Sequence, residues 1–246
     1  MRRPLQLLSL NIQRANHLPL VLPFLESKMS DVACIQELYE TDIPKLSKAL
    51  GDAPCIFAPM SRYIRDDPPR IFGVGIFTKL PVSDSGVIFY RGDPAHLPEL
   101  DQDNPETWNN KNFPLVWCDV QKDGVPYRIA TTHFTWTPDG QADVDQRRDV
   151  KELLRILAPL GELVLVGDFN APRGREIFSV LSAAYKDNIP AKYASSLDPE
   201  RHRIDGLELM VDGMFSTPAY SVSDVELISG VSDHRALTAS VARTVG

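Results

Sequence analysis

The sequence predicts an α+β fold in which two β-sheets pack face to face and helices cover them. Short apolar runs rich in Val, Ile and Phe recur along the chain and are bounded by Gly, Pro, Asp or Asn, which is the pattern of strands. Helical periodicity appears between some of these runs. Many strands with a few interspersed helices favour two packed sheets with helices outside.

The strands are predicted from the apolar runs and the helices from the periodic segments between them. In chain order the strand-like runs are LQLLSL, VACI, CIFAPM, VGIFT, GVIFY, LVWCDV, YRIATTHF, ELVLV, LELMVDGMF and LTASV. Helices are predicted over residues 20–29, 43–50 and 176–184, and Thr41 is the candidate cap of the second. In residues 150–157 the apolar side chains fall on one helical face and the charges on the other, which indicates a further helix.

The polar segment at residues 91–112 differs from the rest of the chain. It carries several acidic residues and three prolines. A polar stretch of this length inside a domain is either a functional loop or a partly disordered segment. The sequence leaves both alternatives open.

The composition narrows the functional classes. A net charge of −7 argues against a protein that coats nucleic acid through its overall field, although it allows a local basic groove. The three cysteines lie far apart without metal-ligand spacing, which predicts free thiols. No apolar stretch reaches the roughly 18 residues of a membrane helix, and the apolar start breaks at Asn11, too early for a signal peptide. We therefore expect a cytoplasmic protein that does not act at a membrane.

Polar groups at or just past the ends of apolar runs are the main candidates for a functional site. Strand ends are where a rigid scaffold meets solvent, and convergent sites are often built there. Taken singly, each such group is explained as well by a turn or a helix cap. Together they bring acids, amides and two histidines into equivalent positions. The set is Asn11, Glu37, His133, Asp168, Asn170, Asp212, Asp233 and His234.

The chemistry open to this set is narrow. Carboxylate and amide oxygens with few nitrogen ligands suit a hard cation, Mg²⁺ or Mn²⁺, better than zinc. A carboxylate beside an amide can hold a water molecule, and a histidine paired with an aspartate can be kept cationic. Aimed at a phosphate, these groups would perform an in-line displacement by water. The sequence contains no GxSxG, GxxxxGK[ST] or GxGxxG, which argues against serine hydrolysis, nucleotide-dependent phosphotransfer and dinucleotide redox chemistry.

Several short segments of the chain resemble the signature segments of the endonuclease/exonuclease/phosphatase superfamily, which has the deoxyribonuclease-I-like fold. They are, in order, SLNIQ, IQE, TTHF, GDFNAP, MVDGMF and SDH, and they extend from Asn11 to His234. The resemblance implies a single domain over residues 1–246, built as a four-layer α/β/β/α sandwich of two mostly antiparallel sheets with outer helices. It also implies hydrolysis of a phosphoester that depends on Mg²⁺ or Mn²⁺.

The same resemblance implies roles for the acids and amides. Glu37 would be the main metal ligand, with Asn11 and Asp233 close to the metal or the phosphate. Asp168 would accept a proton from the attacking water, and Asn170 would help to orient that water or the phosphate.

Two histidines would contact the phosphate from opposite sides. His234 would be held by Asp212, although Asp205 in HRIDG is a rival for that role. We prefer Asp212 because it ends an apolar run and precedes another strand-like segment. No acid that would orient His133 can be placed, and Gly213 stands where many relatives have a bulkier residue.

The substrate is predicted less sharply than the phosphate chemistry. Arg62, Arg65 and Arg70 lie in the polar stretch SRYIRDDPPR, where they could contact a nucleic-acid backbone or a terminal phosphate. The alternative is a solvated loop whose two aspartates balance the arginines. Trp136 follows His133 closely and could stack a base or a sugar, or it could be a partly buried core aromatic.

Three functional hypotheses remain. We favour a phosphodiesterase or nuclease that works as a monomer on a phosphoester substrate, nucleic acid among the candidates. A phosphomonoesterase acting on a sugar or inositol phosphate is the alternative, because the motifs handle the phosphate while loops select what is attached to it. A catalytically silent binding module of the same fold is the third, although the metal and water-handling residues are all retained.

Overall fold

The strands form two mixed sheets that pack face to face in this computed structural model, which describes residues 3–244. Within that range the sheets have the strand orders β12-β13-β1-β2-β4-β3-β6 and β10-β11-β9-β8-β7-β5. Most neighbouring strands are antiparallel, and the pairs β1–β2, β3–β6 and β8–β9 are parallel. The strands are β1 (Leu5–Asn11), β2 (Val32–Tyr39), β3 (Cys55–Tyr63), β4 (Arg70–Thr78), β5 (Val82–Arg91), β6 (Glu99–Leu100), β7 (Phe113–Lys122), β8 (Val125–His133), β9 (Val164–Asp168), β10 (Lys186–Asp187), β11 (Asp212–Ser216), β12 (Tyr220–Ile228) and β13 (Ala236–Arg243).

Helices cover both outer faces, so the predicted four-layer sandwich is confirmed. They are α1 (Leu18–Ser27), α2 (Ile43–Ala49), α3 (Val144–Leu157) and α4 (Glu176–Ala184). Buried apolar side chains of α1 and α2 pack on the first sheet, and those of α3 and α4 belong to the main core of the molecule. No helix within the described residues is long and apolar enough to cross a membrane. The three cysteines are free thiols, as predicted.

Two local predictions were wrong. The run LELMV is not a strand, and β11 begins only at Asp212. Its apolar side chains are buried or half-buried, but its carbonyls accept hydrogen bonds from loop residues instead of a strand ladder, including the N–H groups of Phe169 and Ser196. Thr41 does not cap α2, because Asp42 is the N-cap residue and the Thr41 hydroxyl accepts hydrogen bonds from Arg70.

The polar segment 91–112 is an ordered loop. Its backbone forms the short strand β6 and a 3₁₀ turn at Pro105–Thr107. The buried side chain of Asn112 closes the segment, since it accepts a hydrogen bond from the N–H of Asp93 and donates to the carbonyls of Asp93 and His96. Because the loop is tied down in this way, it can hold side chains over the cleft described next.

Candidate active site

Asn11 faces the space between the sheets because the side chains of β1 point alternately to the two faces of the first sheet. Leu5 and Leu7 point into the core between the sheets, whereas Leu8 and Leu10 point toward α1 and α2. Side chains alternate along a strand, so Asn11 follows Leu5 and Leu7 onto the inter-sheet side. It is buried there, at the edge where β1 ends.

A β-bulge delivers Glu37. Strict alternation would send it, with Ala33 and Ile35, toward the helices. The pairing of β2 with β4 instead shifts between Ile35 and Leu38, and Glu37 adopts a left-handed φ of 54°. Bulges re-aim side chains next to active sites, and a non-glycine residue held at positive φ stores strain that is common at such sites. The carboxylate therefore faces the cleft between the two sheets.

Three adjacent strands of the second sheet place a row of polar side chains at one edge. In the strand register Asp168 lies opposite His133 on parallel β8 and opposite Asp212 on antiparallel β11. Asp212 is thus the first residue of its strand and not the last, as the apolar run before it had suggested. Because β11 runs the other way, its start meets the ends of β8 and β9.

Glycines allow this row to form. A Cβ at Gly167, whose φ is 146°, would come 2.1 Å from the carbonyl oxygen of Thr132. A Cβ at Gly213 would come 2.5–2.8 Å from the rings of Phe169 and Phe215, which pack edge to face. Glycine at position 213, where many relatives have a bulkier residue, therefore leaves room for the Phe169 ring of the GDFN motif.

Asp168 lies at the centre of the cleft and is buried. Its Oδ1 accepts the backbone N–H of Asn170 at 2.9 Å, and its Oδ2 accepts Nδ2 of Asn11 at 3.0 Å. Burial raises the pKa of this carboxyl, the charge of Asp212 raises it further, and the histidines His133 and His234 lower it in part. A carboxylate whose pKa is raised is a better proton acceptor than an ordinary aspartate.

Asn11 links the two central acids. Its Oδ1 accepts the N–H of Gln13 at 3.0 Å, and this bond fixes the orientation of the amide. Its Nδ2 therefore faces Asp168 at 3.0 Å and Glu37 at 3.4 Å. In this arrangement the N–H groups of Asn11 hold the two carboxylates, and its oxygen, which accepts one backbone N–H, keeps a second lone pair.

His234 and Asp212 form a buried pair. The Nδ1 of His234 donates to Oδ2 of Asp212 at 2.7 Å, whereas Asp205 lies exposed in a loop, so Asp212 is the partner. Burial alone would lower the pKa of His234, but Asp212, Asp168 and Asp233 together raise it well above its usual value. The Nε2 of this cationic ring lies 3.8 Å from Oδ2 of Asp168.

His133 has a different electrostatic character. Its Nε2 lies 3.5 Å from Asp168 and 3.9 Å from Glu37, while its buried Nδ1 has no hydrogen-bond partner among the described residues. Burial lowers the pKa of His133, and the two nearby acids offset this only in part. The sequence analysis placed no acid that would orient His133, and among the described residues none contacts its Nδ1. His133 and His234 therefore differ in charge.

The Asp212–His234 pair gives a testable pH dependence. Asp212 raises the pKa of His234, so removing that charge lowers the pKa, and the ring loses its proton at lower pH. Asp212→Asn should therefore move the alkaline limb of the kcat/KM profile to lower pH by at least about one unit, which corresponds to about 1.4 kcal/mol. Asp205→Asn, the matched control, should leave the profile unchanged. An unmoved limb in Asp212→Asn would show that His234 is not the group that titrates.

The donor set fits a hard divalent cation at Glu37. Arg14 and the histidines offset the effect of burial, and the pKa of Glu37 falls to about 2, so the group is ionised at neutral pH. Asp233 also lines the cleft, and only its Oδ1 is engaged, by the hydroxyl of Ser232. The ionised Glu37 and the carboxylate of Asp233, whose Oδ2 is free among the described residues, match the oxygen ligands that Mg²⁺ or Mn²⁺ prefers.

A second acid–histidine group is less suited to a metal ion. Asp168, Asp212 and His234 each bring one ligand atom within 4.8 Å of the others. However, a protonated His234 that donates to Asp212 has no lone pair to offer. We therefore assign any cation to the Glu37 side of the cleft.

Two cations of the cleft were missed by sequence reasoning. Arg14 lies 3.9 Å from Glu37, donates to Gln102 at 3.1 Å and stacks 4.6 Å from the centre of the Tyr63 ring. Lys111 lines the same cleft and forms no hydrogen bond or ion pair among the described residues. The only sequence signal for Arg14 is its position just after the LNI motif, and Lys111 lies in the unmatched 91–112 loop.

Of the three residues predicted to contact the substrate, the structure places one in the cleft and two outside it. Trp136 lines the cleft. Arg62 and Arg70 lie outside its lining, and the structure gives no support to their predicted contact with substrate. Arg70 is 2.5 Å from Asp42 and its guanidinium stacks 3.6 Å from the centre of the Tyr39 ring. Arg62 is half exposed and 3.9 Å from Glu99.

The cleft as a whole unites the other predicted residues. Its volume is about 340 Å³. Except for Asp212, which lies behind His234 as its partner, the polar set predicted from the strand ends lines it. A buried base, a cationic histidine and an ionised metal-ligand candidate thus share one solvent-accessible space.

Comparisons with known proteins concern the family and the fold of the chain. The family model described as the Endonuclease/Exonuclease/phosphatase family matches residues 8–234. No curated protein matches the sequence significantly. The human Nocturnin catalytic domain with bound sulfate is similar at 18% identity over 98% of this chain and 94% of that chain, with a TM-score of 0.75.

Two further solved structures are similar over nearly their whole length. The mannosyl-6-phosphatase of Bacteroides thetaiotaomicron has 15% identity over 97% of this chain and 99% of that chain, with a TM-score of 0.68. A humanized TDP2 of D. rerio has 17% identity over 97% and 98% of the two chains, with a TM-score of 0.65. At these identities the similarity concerns the fold.

Proposed function

Because the chain belongs to the endonuclease/exonuclease/phosphatase family, we propose that its cleft hydrolyses a phosphodiester by metal-assisted attack of water. Members of this family are generally hydrolases that act on phosphoesters. The observation that carries the proposal is the environment of Asp168. This buried carboxylate, with a raised pKa, lies within 4 Å of two histidines and shares Asn11 with the ionised Glu37. All of these residues come from one chain, so the proposal requires only a monomer.

Asp168 and Asn170 would prepare the water. The N–H of Asn170 holds Oδ1 of Asp168, and Nδ2 of Asn170 donates to the carbonyl of Phe134 at 3.0 Å. Asn170 has a left-handed φ of 49°, and its side-chain oxygen forms no hydrogen bond among the described residues. This oxygen can accept a hydrogen bond from one O–H of a water molecule while Asp168 takes the proton of the other O–H. The water oxygen then forms the new bond to phosphorus as the leaving group departs with its electron pair.

The histidines would bind the phosphate oxygens. The cationic His234, with Nδ1 anchored on Asp212, presents Nε2–H toward the cleft. A fixed donor of this kind stabilises the charge of the pentacoordinate transition state without reorganising. When bound at Glu37 and Asp233, a divalent ion would polarise the phosphate and neutralise part of its charge.

Turnover of bis-p-nitrophenyl phosphate tests this proposal. We expect p-nitrophenolate release with Mg²⁺ or Mn²⁺ and its loss with EDTA. A folded protein without turnover in either metal, across diester and monoester substrates, would instead support the silent binding module. The presence of every water-handling residue in one cleft favours catalysis.

A phosphomonoesterase is the second candidate, and the cations Arg14 and Lys111 favour it. A phosphate monoester carries up to two negative charges at neutral pH, against one for a diester. Arg14 and Lys111 lower the pKa of Glu37 together with the histidines, and Lys111 forms no hydrogen bond or ion pair among the described residues, with the Phe72 ring 5.7 Å from its Nζ. Burial lowers the pKa of Lys111, and an additional phosphate charge nearby would favour its cationic form.

The substitution Lys111→Met decides between the two candidates. If Lys111 meets a monoester dianion, kcat/KM for p-nitrophenyl phosphate should fall about tenfold, or about 1.4 kcal/mol, while the value for bis-p-nitrophenyl phosphate changes less. Lys151→Met, on the exposed side of α3, is the matched control. Equal losses on the two substrates would leave Lys111 without a role in selecting the phosphate.

A further inference from the structure

One wall of the cleft is aromatic and apolar. Trp108 from the 91–112 loop and Trp136 from the segment after β8 meet edge to face, with ring centres 4.9 Å apart. Leu100, Ile204 and Leu207 also line the cleft. The acids and histidines already described line the same cleft, which therefore joins phosphate-handling groups to apolar side chains.

The two tryptophans do not belong to the core of the protein. Trp117, the third tryptophan, packs against the core between the sheets, whereas Trp108 and Trp136 are part of neither core cluster. Both are half-buried and face the cleft. Apolar and aromatic side chains that face a cleft beside a few polar groups are typical of small-ligand sites.

Both tryptophans are held in place through their polar atoms. The Nε1 of Trp108 donates to the carbonyl of Gln102 at 3.0 Å, and Nδ2 of Asn109 donates to the carbonyl of Trp136 at 2.8 Å. The guanidinium of Arg203 lies 5.6 Å from the centre of the Trp108 ring. With the indole N–H of Trp108 satisfied, its ring offers apolar surface that is already ordered before a ligand arrives.

We propose that the Trp108–Trp136 wall receives the planar ring of a single nucleotide unit whose phosphate occupies the Asp168 side of the cleft. The inference rests on the proposed function, because the phosphate site positions the ring. The cleft volume of about 340 Å³ lies at the lower end of the range of small-ligand sites. Aromatic side chains bind bases by stacking with little dependence on sequence.

The charges outside the cleft favour one nucleotide over a long strand. Recognition of a strand requires free cations along its phosphates. Each arginine of the 62–70 loop has an acidic partner instead: Arg65 lies 2.5 Å from Asp101, and the other two contact Glu99 and Asp42. Net charge is −7. The arginines of the 62–70 loop therefore offer no free basic track beside the cleft.

Calorimetric titration with two ligands tests the ring site. Adenosine 5′-monophosphate and ribose 5-phosphate share sugar and phosphate and differ only in the base. With Mg²⁺ present, and with phosphate release followed in the same samples, the nucleotide should bind at least about fivefold more tightly. In a Trp117→Phe background it should also change the fluorescence of the remaining pair, and ribose 5-phosphate should not.

Substitutions in the Trp108–Trp136 wall test whether it causes the preference for the nucleotide over ribose 5-phosphate. Trp108→Leu keeps an apolar side chain without a ring and should abolish the preference, while Trp108→Phe should retain most of it. Trp136→Ala provides a second, independent removal of the wall, and Trp117→Phe is the control. Ribose 5-phosphate affinity should stay constant in all variants. Equal affinities for the two ligands in the unmodified protein, or a preference that survives both Trp108→Leu and Trp136→Ala, would overturn the proposal.

A single-stranded tetranucleotide separates the two sources of such a ring. If one nucleotide unit fills the cleft, the affinity of the tetranucleotide should lie within about threefold of that of the mononucleotide. Binding that is many times tighter would overturn the single-nucleotide assignment in favour of a strand. Failure of the ring site with intact ribose 5-phosphate binding leaves the phosphate site standing, whereas loss of binding for both ligands contradicts the proposed function itself.

Discussion

Asp168→Asn is expected to lower kcat at least about 100-fold while the protein remains folded. The buried carboxylate of Asp168 has a raised pKa and is oriented by Asn170 at Oδ1 and by Asn11 at Oδ2, which suits it to take a proton from water. An amide of the same shape cannot accept that proton, and a general base contributes about 10²–10⁴ in rate. The measurement is kcat on bis-p-nitrophenyl phosphate at saturating metal.

The fold should tolerate this substitution for an electrostatic reason. The pKa of Asp168 is raised, with burial as the largest cause, so the folded protein disfavours its charged form. A neutral amide avoids that cost. The thermal midpoint should therefore stay close to that of Asp123→Asn, a matched control in the exposed turn between β7 and β8. Near-normal kcat in Asp168→Asn would assign the proton to another group.

Glu37→Gln should raise the concentration of Mg²⁺ or Mn²⁺ at half-saturation by at least about tenfold, with a smaller change in kcat once metal saturates. Glu37 supplies an ionised carboxylate at the bulge of β2, and a neutral amide is a weaker ligand for a hard cation. A metal titration of activity measures the shift. Glu226→Gln, on exposed β12, is the control, and an unchanged half-saturation in Glu37→Gln would place the ion elsewhere.

The effect of Glu37→Gln on the free energy of unfolding should depend on pH. The pKa of Glu37 falls from 4.5 to about 2 on folding, so the charged form stabilises the folded protein above about pH 4.5. That contribution is lost as the pH falls through about 2. The stability difference between the native protein and Glu37→Gln should therefore be full near neutral pH and shrink across that acidic range, as urea unfolding at several pH values would show.

The positions of most strands, and the polar groups that come together in the cleft, were largely predictable, although β12 was not among the predicted runs. The apolar runs fix β1, β2, β8 and β9, because alternation and burial are local properties of the chain. The motif after β9 was informative for the same reason: Gly167 permits a close approach, Asp168 ends the strand, and Asn170 takes a left-handed turn. The family resemblance added the roles, and the family match agrees with it.

The errors arose where a side chain's partner is distant in sequence. LELMV has the apolar pattern of a strand, but its backbone bonds go to loops, so β11 starts at Asp212. The basic loop was considered for substrate binding, yet Arg70 is paired with Asp42 and Arg62 lies near Glu99. Neither the backbone partners of LELMV nor the ion pairs of the two arginines can be predicted from the spacing of residues in the sequence. They depend on which loops pack against each other in the folded protein.

The sequence alone determined the fold class, the family and the set of polar groups placed near the ends of apolar runs. Tertiary structure decided how those groups are oriented. The bulge of β2 turns Glu37 into the cleft, and the N–H groups of Asn11 face two acids. Asp212 accepts a hydrogen bond from His234 inside the protein. It also brought Arg14, Lys111 and the two cleft tryptophans together. The physical reason is that strand formation depends on neighbours along the chain, whereas pKa values, hydrogen bonds and cleft walls depend on contacts between residues far apart in sequence.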